Sequence, residues 1–207
     1  MQPGDPFWVL LWVSVGADAF LYVYFHRRAR RNALWIMGTM GGVFPVVATW
    51  AWAIPFYLIM AVTFLHPSWL SWAAIGMPGW AGVCGAIGVM LTPFFGWWVL
   101  HSLGNNFTEA FAAVFRQKLV TRGPYRHIRH PLYAVECIFL SGFVLATANW
   151  IILGFGLSAI LVIRLVVIPQ EEGFLLERFG ELYKRYRKRT GVFHPPLRSL
   201  IGRSPAR

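Results

Sequence analysis

Acidic residues are scarce in this sequence: Asp and Glu number 8 in 207 residues, against 19 Lys and Arg, for a net charge of +11. Charge of either sign is scarce, at 13% of residues, while 57% are hydrophobic and 17% aromatic. That balance excludes an ordinary soluble domain and points to an integral membrane protein. Cysteine is nearly missing as well. Cys84 and Cys137 both fall in apolar segments without metal-ligand spacing, which excludes a disulfide framework or zinc site and leaves packing as their expected role. No stretch has a soluble composition long enough for a second core, so one membrane domain over 1–207 is expected. A basic leader and a small-residue cleavage site are also lacking at the N-terminus, and the apolar run from Phe7 reads as a retained helix.

What is there is a series of long apolar runs, near 7–25, 36–65, 79–101, 132–148 and 150–169. A bilayer core of roughly 30 Å takes about 20 helical residues, so the expected fold is all-α, polytopic, with about five transmembrane helices. The second run holds Pro45 and Pro55 and exceeds one span, which predicts a tilted, kinked helix or an interfacial lead-in; Pro93 predicts a kink in the third. Basic clusters follow the first, third and fifth runs, whereas the loops "HPSWLSW" and "TANW" carry no Asp, Glu, Lys or Arg. Positive charge collects on the cytoplasmic side, so the N-terminus is expected outside and the C-terminus inside. Trp69, Trp72, Trp80 and Trp150 would mark the outer interface. A charge of +11 in a soluble chain would raise nucleic-acid binding; basic residues set between apolar runs instead serve topology and contact with membrane lipids, and no nucleic-acid partner is expected.

Within this frame 1–101 forms three N-terminal spans, 102–190 a ligand-binding region and 191–207 a tail in which "RSPAR" is expected to lack order. After the fifth run, "EEGFLLERFGELYKRYRKRT" places Leu175, Phe179, Leu182 and Tyr186 at helical spacing, predicting a cytoplasmic amphipathic helix. An interfacial anchor is the plain reading of such a helix.

Residues able to carry chemistry concentrate at the cytoplasmic side. Pro131 suits the first position of a helix, with His130 as its N-cap. The free N–H groups of that helix start, flanked by Arg129 and His130, suit an anionic ligand group. A turn at Gly123-Pro124 would bring Leu119, Val120 and Tyr125 toward it, and Tyr125 and Tyr133 offer ring faces for a flat heterocycle. Arginines and tyrosines at a membrane surface also serve simply as interface markers. Charges inside spans are expensive. Asp18 has no evident partner and either faces a polar cavity or is protonated, whereas Glu136 and Arg164 are placed to pair across adjacent helices. Glu171 and Glu172, at the exit of the fifth run, can accept hydrogen bonds from ligand hydroxyls; Asn105, Asn106 and Thr108 add neutral polar groups at the inner face. A cationic helix start, aromatic faces and paired carboxylates together suit a nucleotide-like cofactor carrying an amino acid.

The stretch "LVTRGPYRHIRHPLY", followed by "EEGFLLERFGELYKRY", resembles the isoprenylcysteine carboxyl methyltransferase family and its phospholipid N-methyltransferase relatives over residues 103–186. The resemblance implies an integral membrane enzyme that binds S-adenosyl-L-methionine and methylates a lipophilic or lipid-linked acceptor, such as an isoprenylcysteine-like carboxylate. It implies cofactor contacts from Gln117, Lys118, Leu119, Val120, Tyr125, His130, Pro131, Leu132, Tyr133 and one of Glu171 and Glu172, taken here as Glu171; Arg164, Glu172 and Asn106 are the candidate catalytic residues. Two departures stand out: Gln117 where the family commonly has His, and Val167 where the prenylcysteine enzymes carry a substrate-binding Arg. Arg164, one turn earlier, is the substitute expected here. Membrane sterol reductases that bind NADPH have a related arrangement, but they read R-H-x-N-Y where this chain has Pro131, Leu132 and Tyr133. A non-catalytic lipid-binding protein is the other alternative, drawing support from Val167 alone.

Overall fold

The computed structural model describes residues 5–32, 35–39, 43–107, 112–114 and 118–196. The expectations for Gln117, Thr108 and the "RSPAR" tail lie outside the described residues, as does the side chain of Asn105. The apolar runs form helices: α1 (Pro6–Asn32), α2 (Val43–Leu65), α3 (Gly79–Leu103), α4 (Pro131–Thr147) and α5 (Trp150–Val162). A π-helical turn, Ile163–Val167, carries α5 without a break into α6 (Ile168–Phe179), and α7 (Glu181–Arg189) follows.

Three continuous helices are long and apolar enough to cross a membrane, Pro6–Ala29, Gly79–Leu103 and Trp150–Phe179. A fourth crossing counts if the pair Ala53–Leu65 and Pro67–Ala73, bent by 111°, is one span. Helix α4 is apolar but has only 17 residues, about 25 Å of helix and the short end of what a span requires. Large apolar side chains such as Phe20, Leu58, Phe94 and Leu165 point outward on these helices, as lipid-facing surfaces do. The chain is an integral membrane protein.

Two expectations are corrected, and a third is narrowed. The run 36–65 takes the second of its two alternatives, a helix with a lead-in: the strand β1 (Trp35–Thr39), paired antiparallel with β2 (Ala112–Val114), precedes α2. The fifth helix does not end near 169 but runs to Phe179. There Gly180, at φ 49° and ψ −124°, breaks it from α7, a conformation open essentially to glycine alone. The amphipathic segment is therefore two helices, and α7 buries Tyr183 while leaving Leu182 exposed. Cys84 lies in the apolar helix α3 and faces outward.

The core lies between α1, α3, α4 and α5, around Leu11, Val89, Phe143 and Ile152. Helices α3 and α4 meet backbone to backbone. A Cβ added to Gly85 would lie 2.5 Å from the Gly142 carbonyl oxygen and 2.5 Å from the Ala146 nitrogen, so the contact exists because glycine has no side chain. Small residues let helices approach in this way where lipid supplies no hydrophobic drive. Asp18 of α1 does have a partner: the Thr92 hydroxyl on α3 donates to its Oδ2 at 2.6 Å. That hydrogen bond satisfies an intramembrane polar group that would otherwise be costly.

The two ends of the bundle differ in charge. At one end the uncharged loops meet: Asn149 caps α5 and donates to the Leu70 carbonyl at 3.0 Å, and the Trp72 and Trp150 rings are in edge contact at 5.4 Å. At the other end, Phe107 packs with Phe25, Ala29 and Leu100, and the basic segments 118–130 and 180–196 come together.

Candidate functional site

The basic end is organised by the start of α4. Pro131 is its first residue and His130 its N-cap, with no side chain capping the first turn, so first-turn N–H groups are left for another partner. The chain reaches this point through a helical turn at Gly123–Arg126. Gly123 has φ +60°, and a Cβ there would collide with Ser102 at the end of α3. The turn is thereby pressed against α3.

A strap from the C-terminal segment holds the loop before α4. The Arg129 N–H donates to the Gly191 carbonyl at 2.8 Å, the His130 N–H to Val192 at 3.2 Å, and the Gly191 N–H to His127 at 3.3 Å. Helix α7 adds the Tyr186 hydroxyl, which donates to the Tyr125 carbonyl at 2.8 Å. Buried backbone groups on both segments are thus paired with each other, as burial requires.

Glu172 is the hub. Its Oε1 accepts from Arg129 Nε at 2.8 Å and lies 3.3 Å from His130 Nε2; its Oε2 lies 3.7 Å from Arg187 Nη1. Arg129 also donates to the Arg187 and Thr190 carbonyls. His130 is buried, with its Nδ1 3.6 Å from Glu171 Oε2, and its ring stacks on Tyr133 at 5.8 Å. Burial works against a charge on His130, but hydrogen bonds and negative charge from Glu171 and Glu172 outweigh it, so its pKa is raised above the ordinary value. Tyr125 and Tyr183 are pushed up, first by burial and then by neighbouring carboxylates, and stay neutral. Tyr186 is pushed up to about 12, chiefly by burial.

Two buried polar atoms here make no hydrogen bond among the described residues: Glu171 Oε2, whose contact with His130 Nδ1 is an ion pair at 3.6 Å, and the Tyr183 hydroxyl. Orphans of this kind are rare in finished structures and mark where a ligand completes the network. Beside the hub lies a cleft of about 420 Å³, within the range of ligand pockets, lined by Arg129, Arg164, Ile168, Pro169, Glu172, Leu176, Arg187 and Val192 among others. Arg164 sits in the π-helical turn, exposed, at i and i+8 with Glu172 on the cleft wall. Single π turns recur at functional sites because they re-aim a side chain. Val167 is buried away from solvent.

Of the residues expected from sequence, the structure brings together Arg164, Glu171, Glu172 and His130. Asn106 is half-buried and committed to backbone: its Oδ1 accepts from the Lys118 N–H at 2.8 Å, and its Nδ2 donates to Leu103. It thereby fixes the start of Lys118, Leu119 and Val120, which do not line the cleft. Pro131 is buried, and Leu132 packs on the Phe25, Leu100 and Phe107 cluster. The expected ion pair between Glu136 and Arg164 does not form: neither has an ion-pair partner among the described residues. Sequence reasoning missed Tyr183, Arg187 and the strap at Thr190–Val192. The tyrosine pair in "ELYKRY", three residues apart, was the available signal.

Residues 83–177, just under half of the chain, match the model of the isoprenylcysteine carboxyl methyltransferase (ICMT) family. The match encloses α4, the π turn and the two glutamates, and supports a membrane methyltransferase. No curated protein matches the chain.

Proposed function

We propose that this protein is an S-adenosyl-L-methionine-dependent methyltransferase acting on a lipophilic or lipid-linked acceptor with an isoprenylcysteine-like carboxylate. The observation that carries this reading is the buried network of His130, Glu172 and Arg129 with an orphaned Glu171 oxygen beside it, inside the family-matched segment. The residues fit the cofactor. The uncapped start of α4 takes its carboxylate, Glu171 and Tyr183 take hydroxyl groups, and Gln117, Lys118, Leu119, Val120, Tyr125 and Tyr133 are assigned to its remaining contacts. When bound, S-adenosylmethionine supplies an electrophilic methyl group.

The chain's own residues do the rest. Arg129 and His130 hold Glu172 in place, and Glu172 in turn orients both side chains, Arg129 on the cleft wall and His130 buried behind it. Arg164, without a carboxylate partner among the described residues, is the group assigned to the acceptor's anion, in the role Val167 cannot fill. A neutral nucleophile or carboxylate held in line requires no covalent enzyme intermediate, so positioning and water exclusion carry the rate. The chain spans the bilayer five times in this reading, α4 serving as a short span, with the N-terminus outside and the cleft cytoplasmic. That orientation rests on the gathering of the basic segments at one end.

Thermal unfolding in detergent with S-adenosylhomocysteine, S-adenosylmethionine or NADPH tests the assignment, because a ligand selective for the folded state raises Tm. A rise with the adenosyl compounds alone is expected, and Glu171→Ala is expected to abolish it. A rise with NADPH alone would make the protein a sterol-type reductase, and no rise would leave it a non-catalytic lipid-binding protein.

A further inference from the structure

Helix α7 is too short to hold itself. It has 9 residues, where an isolated helix in water is marginal below about 12–15. Its charges work against it as well: Lys184 and Lys188, and Arg185 and Arg189, are like charges four residues apart, a spacing that destabilises a helix. Tyr183, Tyr186 and Thr190, at i, i+3 and i+7, form its inward stripe, and its other residues are exposed. At its start Gly180 breaks it from α6. What keeps α7 folded is therefore what it docks on.

The dock is the loop 125–130. The Tyr186 hydroxyl donates to the Tyr125 carbonyl at 2.8 Å and lies 3.4 Å from that of Ile128. The Arg129 guanidinium donates to the Arg187 carbonyl at 3.2 Å and to that of Thr190, at the end of α7 where the helix dipole favours a cation. Past the helix, Gly191 and Val192 pair with the backbone of His127, Arg129 and His130. Gly191 is tightly specified, because a Cβ there would lie 1.7 Å from the His194 carbonyl oxygen. All these bonds reach the loop that carries Arg129 and His130 to Glu172. The whole element, 180–192, lies beyond the family-matched segment 83–177, and the orphaned Tyr183 hydroxyl belongs to its inward stripe.

We propose that residues 180–192 are a hinged positioning element of the cofactor site, pivoting at Gly180 and latched through Tyr186 and Gly191, and that the cofactor binds only while the latch is closed. This rests on the methyltransferase reading for the identity of the ligand. Closed, the element fixes Tyr125 and His130 beside the start of α4. Opened at Gly180, it removes the Tyr183 hydroxyl and the carbonyl partners of Arg129 together. Linkage runs both ways, so a latch that the cofactor requires is a latch that the cofactor holds shut. Tyr186 and Gly191 are positioning residues, since each acts through the loop 125–130.

The test follows trypsin cleavage after Arg187, Lys188 and Arg189 in the full-length protein in detergent, with S-adenosylhomocysteine affinity and unliganded Tm measured on the same samples. In wild type, S-adenosylhomocysteine at ten times its Kd is expected to slow these cuts about tenfold, the ratio by which a ligand confined to the closed state depletes the open one. Cleavage after Arg28, near the end of α1, is expected to be unchanged. Tyr186→Phe removes only the hydroxyl, and is expected to bind S-adenosylhomocysteine about fivefold more weakly, as loss of one hydrogen bond gives, with its unliganded Tm kept. Gly191→Ala is expected to lose more affinity, and Gly154→Ala in α5, where an added Cβ meets nothing within 4 Å, to lose none. Bound S-adenosylhomocysteine that leaves the cuts at 187–189 as fast, or slows the cut after Arg28 equally, overturns the proposal and leaves the methyltransferase reading standing. So does wild-type affinity in both latch variants, or an affinity loss in Tyr186→Phe that comes with a matching fall in Tm. Wild-type protein that binds no S-adenosylhomocysteine overturns both.

Discussion

His130 carries two roles: its backbone occupies the N-cap position of α4, and its ring holds Glu171 and Glu172. Because its folded pKa is raised above the ordinary value of about 6.5, its ion pairing stabilises the protein fully below that value. The contribution is lost as pH rises through the folded pKa. Tm in detergent is accordingly expected to fall across that window above about pH 6.5, and His130→Asn to flatten the fall; a variant that keeps the wild-type slope would assign it to other groups. The candidate site was partly legible at this scale. Pro131 after a histidine, and two adjacent glutamates after an apolar run, are local signals, and they named His130, Glu171 and Glu172. Tyr183 was not legible, because its burial goes with α7 folding back on residue 125 through Tyr186, a contact 61 residues apart in sequence that no local pattern encodes. The Glu136 and Arg164 pairing failed for a similar reason: matching depth says nothing about which way two helices turn their side chains.

Helices were legible from hydrophobic runs, and their endings were less so. The π turn at Ile163–Val167 leaves no compositional trace, yet it sets the direction of Arg164. The break at Gly180 was visible only as a glycine inside an otherwise helical pattern. Helix pairing is most sharply determined at Gly85 and Gly142. Gly85→Leu is expected to separate α3 from α4 and to cost about 3 kcal/mol, the upper range for overpacking, because the obstructing atoms belong to the facing backbone and cannot rotate away. Unfolding in a graded denaturing detergent would measure it, with Gly76→Leu, where the added side chain meets open space, as the control.

At the scale of the whole molecule, the gathering of uncharged loops at one end and basic segments at the other predicts sidedness. In a variant lacking Cys84 and Cys137, Ser68→Cys is expected to react with an impermeant maleimide added outside cells, and Lys184→Cys only after permeabilisation. Reversed labelling would invert the proposed orientation.

The hub at Glu172 also dictates an order of assembly. Its partners lie at 129, 130 and 187, and the strap that secures them ends at Val192, so the loop before α4 waits for almost the entire chain to be synthesised before it can close. Every helix can already be in the bilayer while the cleft is still unformed. A chain stopped after Arg189 would insert, span and yet present an open loop at the basic end, which makes residues 190–192 a checkpoint between insertion and function.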